Sequence, residues 1–298
     1  MNEQGHFAIL KKPLPGMSTR VLPEGWVLSY QAPLRVQCSK DGRIVLLGIA
    51  WQFLPERGTP MEEAEALCNR FPGTIPEEAV LEMEESWCGR YALLCQSVVY
   101  GDTCTLLPVF YSKLGVSSDC TLLAEQAGQP RKNYTMPGPL TQYDGVRRML
   151  PSQLYCYTTG EVYSRQLLAA HYPGIADEDA RLERIVTCFD YSLRQMQNAL
   201  PGTKLLVAIT GGHDSRTLLA LCKHAKIDFD AFTLLYDDIY EDDVTVPKEL
   251  CRVEHIPHHE VLRDCKPDYA VREAEYLDHI SGLVQDEDRL YYAHQQFE

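Results

Sequence analysis

The segment Ile209-Thr210-Gly211-Gly212-His213-Asp214-Ser215-Arg216 gathers groups suited to holding an anion. Two adjacent glycines let the backbone approach a ligand with no Cβ in the way. Thr210 and Ser215 add hydroxyl donors. Asp214 would repel a phosphate directly but would bind one through Mg²⁺. A plain strand-to-helix turn could use the same residues for geometry alone, with Asp214 or Ser215 as N-cap. Two other phosphate loops are excluded. No lysine follows the glycines as G-x-x-x-x-G-K-[ST] requires, and the spacing is not G-x-G-x-x-G.

Other groups carry weaker signals. Asp237, Asp238, Glu241, Asp242 and Asp243 form an acidic run. It reads as a solvated loop running into a helix start favoured by the dipole, with steering of an amine as the functional alternative. His255, His258 and His259 cluster without a cysteine or carboxylate to complete a zinc set, so packing is the expectation. His213 is expected to face solvent. Tyr240 and Tyr276 have the chemistry of an acid or base, but the sequence gives them no geometry.

The elements that must position the loop follow from hydrophobic spacing. Lys204 to Thr210 reads as a buried parallel strand and Ser215 to Ala225 as a helix, so the glycines sit at their join. A helix start there leaves backbone N–H groups unpaired. Phe229 to Leu235, Val244 to Arg252 and Glu254 to Leu262 continue as strand, helix and strand, the order of a parallel sheet. Before them, Asp177 to Leu200 spaces Leu182, Ile185, Phe189, Leu193, Met196 and Leu200 along one helical face. The first half reads mainly as strands. Trp26–Ser39 and Arg43–Phe53 flank a hairpin signal at Lys40-Asp41-Gly42. Met61–Phe71 and Pro76–Trp87 read as helices. Arg90–Tyr100 and Thr103–Tyr111 are expected to pair across Gly101-Asp102. Asp119–Gly138 reads as a loop, and Val146–Arg165 as strands around a turn at Thr158-Thr159-Gly160. His171-Tyr172-Pro173-Gly174 marks a linker, with a boundary near residues 170–176.

Composition bounds the function classes. The 298 residues are 45% apolar and 23% charged, a globular balance with room for two domains. The net charge of −14, with only the small basic groups Arg131-Lys132 and Arg147-Arg148, argues against nucleic acid as a partner. No apolar run approaches the roughly 18–20 residues that span a bilayer, and no signal peptide is evident, so no membrane and a cytoplasmic site are expected. Eleven cysteines without a C-x-x-C pair suit buried free thiols in a reducing compartment.

The string Thr210-Gly211-Gly212-His213-Asp214-Ser215 resembles the S-G-G-x-D-S signature of the ATP pyrophosphatases, and of the asparagine synthetase-like family in particular. That family includes β-lactam synthetases and lasso-peptide cyclases. The resemblance implies an α+β, glutaminase-like (Ntn-type) sandwich over residues 1–172, then an α/β parallel-sheet ATP pyrophosphatase domain over 173–298. Trp87–Leu93, Tyr100-Gly101-Asp102, Pro108–Tyr111 and Val146–Pro151 look like parts of the first domain and its exit. It implies that Thr210, Gly211, Gly212 and Ser215 hold the pyrophosphate of ATP, that Asp214 ligates Mg²⁺, and that Ala208 and Leu234 lie near the adenine. The activity implied is adenylation of a small-molecule or peptide carboxylate, then amide formation with ammonia or a substrate amine. Two departures qualify it. Asn2 stands where the family's glutaminase has a nucleophilic cysteine, so no glutamine hydrolysis is expected. The later glycine- and acid-rich loop that supplies a second Mg²⁺ ligand is not visible before Glu298, so the second domain is expected to be incomplete or completed by a partner, which could also supply ammonia. The alternative is a non-catalytic nucleotide-binding or scaffold homologue.

Overall fold

The computed structural model describes residues 5–130, 139–151, 153–165, 174–235 and 241–262. In chain order the first unit contains β1 (Phe7–Leu10), β2 (Ser18–Val21), β3 (Val27–Tyr30), β4 (Val36–Cys38) and β5 (Ile44–Gln52), then helices α1 (Pro60–Arg70) and α2 (Glu77–Glu84). There follow β6 (Trp87–Cys95), β7 (Val98–Gly101), β8 (Phe110–Ser112), β9 (Gly115–Ser117), α3 (Cys120–Ala127), β10 (Arg147–Arg148), β11 (Gln153–Cys156) and β12 (Glu161–Ser164). They build two antiparallel sheets, ordered β10-β8-β9-β1-β3-β2 and β12-β11-β7-β6-β5-β4.

Strand alternation explains the layering. Phe7 and Ile9 on β1 face Val45 and Leu47 on β5 in the core between the sheets. The intervening Ile44 and Leu46 turn outward onto Leu67 of α1 and Val80 of α2. On the far side, Ala8 and Leu10 pack with Leu123 and Ala124 of α3. The layers therefore run helix, sheet, sheet, helix. The start of α1 is fixed locally. The Thr59 N–H donates to Glu62 Oε2 at 2.8 Å, the Glu62 N–H donates back to Thr59 Oγ1 at 3.4 Å, and Pro60 occupies the first turn.

The stretch Trp26–Ser39 is two strands, because the chain turns over residues 31–35 between them. The hairpin after Arg90 turns at Gln96 (φ 57°), not at Gly101-Asp102. Thr103–Val109 is not a strand. The Asp102 carboxylate accepts from the N–H groups of Cys104, Leu106 and Leu107 at 3.1, 2.9 and 2.9 Å, drawing this backbone into a loop instead of a ladder. The segment expected as a loop from Asp119 contains α3, because Asp119 caps it through the Thr121 N–H at 2.8 Å and Gly128 ends it in the left-handed region (φ 63°). Within the expected linker, His171, Tyr172 and Pro173 lie outside the described residues.

The second unit begins with α4 (Glu178–Ala199) and continues through β13 (Leu205–Ala208), α5 (His213–His224), β14 (Phe229–Leu235), α6 (Glu241–Val253) and β15 (His258–Leu262). The strands form a parallel sheet in the order β13-β14-β15, with Val207 opposite Ala231 and Ala231 opposite His258. Val207, Ile209, Phe229 and Ala231 pack with Leu193 of α4, Leu219 and Cys222 of α5 and Cys251 of α6. The opposite face is open: Leu206 is 57% exposed, Leu234 36% and Val261 43%. β13 is thus buried on one side only, a correction to the fully buried strand its apolar run suggested. The stripe on α4 is likewise split. Leu193 and Met196 reach the core, while Leu182, Ile185 and Phe189 stay exposed.

α4 ties the two units. Trp51 Nε1 donates to Ser192 Oγ at 3.0 Å, Phe53 meets Phe189 edge-on at 5.6 Å, and Tyr191 OH donates to the Arg57 carbonyl at 3.4 Å. Among the described residues no helix is long and apolar enough to cross a membrane, and the cysteines are free thiols.

Candidate functional site

Ile209, buried just beyond the end of β13, still donates its N–H to the Phe232 carbonyl at 2.9 Å. Its own carbonyl accepts from Thr233 Oγ1 at 2.9 Å. That bond uses the only hydroxyl proton of Thr233, so His258 Nε2, 2.9 Å away, must be the donor to Thr233. Burial pushes the His258 pKa down, with Glu260 pulling the other way. His258 therefore supports the base of the loop. His259 instead reaches Asp230 Oδ2 at 2.8 Å, beside the Lys204–Asp230 ion pair, also at 2.8 Å. Lys204 and His259 together hold the Asp230 carboxyl below its ordinary range. The histidines do not converge, and among the described residues no group of three or more His, Cys, Asp or Glu is placed to hold a metal ion.

Beyond Ile209 the chain folds into a hydroxyl clamp. Ser215 Oγ accepts from the Thr210 N–H at 3.1 Å and lies 3.2 Å from Thr210 Oγ1. Thr210 Oγ1 accepts from the Gly212 N–H at 3.2 Å. Gly212 is the N-cap of α5 and has no side chain to cap it, so no side-chain hydrogen bond satisfies that helix start. The amides of His213, Asp214 and Ser215 form its first turn, at the positive end of the helix dipole. Arg216 folds back, its Nε donating to the Gly212 carbonyl at 3.1 Å and its Nη2 lying 3.2 Å from His213 Nδ1. His213 is exposed, as expected, but is not free of partners. Thr210, Gly212 and Asp214 are exposed, and Gly211 and Ser215 are half-buried.

The residues read from the sequence are therefore brought together: Thr210, Gly211, Gly212, Asp214 and Ser215 share one strand-to-helix turn. Ala208 and Leu234 lie on the open sheet face, Ala208 opposite Phe232 and Leu234 two residues further along β14. Sequence reasoning placed Asp243 in the acidic run but missed its contact with the loop. Its Oδ1 accepts the Gly211 N–H at 2.8 Å. The signal was topological, since adjacent parallel strands bring the chain after β14 beside the loop after β13. The acidic run is accordingly not only a solvated loop. α6 starts at Glu241, three residues before the expected Val244, so Glu241, Asp242 and Asp243 form its first turn. Asp237, Asp238, Tyr240 and Tyr276 lie outside the described residues.

No family model matches the chain, and no curated protein does. Among solved structures, the glutamine-dependent NAD+ synthetase from Acinetobacter baumannii, in complex with ADP, is similar at 14% identity and a TM-score of 0.28. The match covers 60% of this chain and 37% of that one, so the chain represents well under two thirds of the synthetase's length.

Proposed function

We propose that the second unit binds ATP by its pyrophosphate and that the protein is an amide-forming ligase of the asparagine synthetase-like kind. The observation that carries this reading is the loop itself. Two glycines join a parallel strand to a helix start that no side chain caps, with Thr210 and Ser215 clamped together and Asp214 exposed on the first turn. Such a turn presents backbone donors and a positive dipole end to an anion. Asp214 would hold Mg²⁺ by one carboxylate, the metal keeping water and nucleotide oxygens for its other ligands, which suits an ion that needs few protein groups. Mg²⁺ would supply neutralisation of the phosphate charge. Ala208 and Leu234 offer the adenine an apolar surface. The turn's donors would stabilise charge on the departing pyrophosphate while a carboxylate is adenylated. Ammonia or a substrate amine then completes the amide. The helix–sheet–sheet–helix layering of the first unit supports reading residues 1–172 as a glutaminase-like sandwich, with residues 173–298 as the pyrophosphatase domain. Free thiols and the negative charge fit a cytoplasmic protein with a small or peptide carboxylate substrate and no nucleic-acid partner.

One observation favours a second reading, a nucleotide-binding or scaffold homologue without chemistry. The N–H groups of Thr210, Gly211 and Gly212 are already engaged within the chain. Isotope exchange between pyrophosphate and ATP, run with Mg²⁺ and a panel of amino acids and peptide carboxylates, separates the two. Exchange that depends on one carboxylate is the expected result. ATP binding without exchange for any member of the panel would favour the scaffold.

A further inference from the structure

Asp243 contacts the loop in a way that the proposed anion site does not need. Its Oδ1 takes the Gly211 N–H at 2.8 Å, the bond an anion seated on the loop would take. The approach is close along the backbone as well. A Cβ built on Gly211 would lie 2.8 Å from the Asp242 carbonyl oxygen and 3.2 Å from Asp243 Oδ1. The first turn of α6 is therefore seated directly on the glycine. Pro247 bears on the same turn. It lies inside α6 and has no N–H to give to the Asp243 carbonyl one turn earlier, so a helical bond is lacking at the residue that makes the contact. A turn held by one bond fewer is easier to move.

We propose that Asp243 is an intrachain latch: its carboxylate stands in for the ligand's anion on the Gly211 N–H and must be displaced before a nucleotide phosphate can seat. This rests on the reading of the loop as an anion site. Two effects act together in the latched state. The Gly211 donor is already spent on a charge-assisted bond, and a negative charge lies at contact distance from where the phosphate would sit. The latch would also hold the loop in shape when no ligand is present, which explains why an acidic residue is tolerated there. Nucleotide entry would then shift α6 away from the loop, coupling occupancy of the loop to the position of the helix between β14 and β15.

The test uses inorganic pyrophosphate as probe, titrated calorimetrically into the full chain without divalent metal, comparing the native protein with Asp243→Asn and Asp243→Ser. The latch predicts that both variants bind pyrophosphate at least about tenfold more tightly than the native protein, the scale of one charge-assisted hydrogen bond exchanged and one like charge removed. Affinity unchanged within twofold would overturn the latch and leave the anion site standing. Weaker binding in both variants would overturn it too, since Asp243 would then be part of the site. Binding by none of the three proteins, with or without Mg²⁺, would overturn the anion site along with the latch. Should the variants fold poorly, the amide resonance of Gly211 in the native protein provides the same test. Pyrophosphate bound elsewhere on the loop with the Gly211 signal unmoved contradicts displacement, and a shift that saturates with binding supports it.

Discussion

At the residue scale, the two glycines of the loop are not equivalent. A Cβ at Gly211 would meet the backbone carbonyl of Asp242 at 2.8 Å, whereas one at Gly212 would find only the Thr210 hydroxyl at 3.3 Å. Gly212 has φ −70°, open to any residue. Gly211→Ala is therefore expected to cost about 1–3 kcal/mol by overpacking against backbone, and Gly212→Ala under about 1 kcal/mol. Urea unfolding of the two variants checks the order, and equal costs would contradict the close seating of α6 on the loop. The sequence showed the pair and the chemistry of Thr210, Asp214 and Ser215. It did not show which glycine was needed for room, because that depends on a contact 32 residues along the chain, in a helix only roughly placed by spacing. Asp243 was hidden for the same reason. Its residue type gives a helix N-terminus, and only strand adjacency gives its partner.

At the element scale, the legible parts are those whose ends are written locally. α1 begins with Thr59, Pro60 and Glu62, a capping box with proline in the first turn, and the helix starts where these residues place it. Thr59→Ala is expected to lower stability by about 1 kcal/mol. Thermal unfolding monitored at the α1 face of the first unit measures it, and an unchanged midpoint would show that the cap contributes nothing. The parallel strands and α5 were similarly readable, from short apolar runs and three-to-four spacing. Thr103–Val109 was not, because its sequence has strand character while its backbone obeys Asp102, a single buried carboxylate accepting several N–H groups. α3 was missed in the opposite sense. Its cap Asp119 and stop Gly128 were present, but the polar and proline-rich tail that follows gave the whole stretch the look of a loop.

At the scale of the whole molecule, a buried ion pair lies near the exit of the first unit. Glu84, wholly buried at the end of α2, faces Arg165 Nη2 at 2.7 Å just after β12, and the same Arg165 nitrogen donates to the Gly101 carbonyl at 2.7 Å. Burial pushes the Glu84 carboxyl up to about 7, against the pull of Arg165. A carboxyl whose folded pKa is raised binds its proton more tightly in the folded state, so its contribution to stability falls as pH rises from about 4.5 to about 7. His258 acts in the opposite direction, its folded pKa being lowered. The difference between the native protein and Glu84→Gln isolates the carboxyl. The native midpoint should lose ground to the variant across that window, and parallel pH profiles would contradict the burial argument. α4, bonded to β5 through Trp51 and Ser192 and packed on the parallel sheet through Leu193, is an element through which the two units meet.

We propose that the turn from Thr210 to Ser215 binds the pyrophosphate of ATP. Direct titration of ATP with Mg²⁺ into the native protein and Asp214→Ala tests it. The expected result is saturable binding by the native protein that depends on Mg²⁺ and is weakened at least about tenfold in Asp214→Ala, as loss of a single protein carboxylate on the metal would give. No ATP binding by the native protein, or binding that Asp214→Ala leaves unchanged, would contradict it.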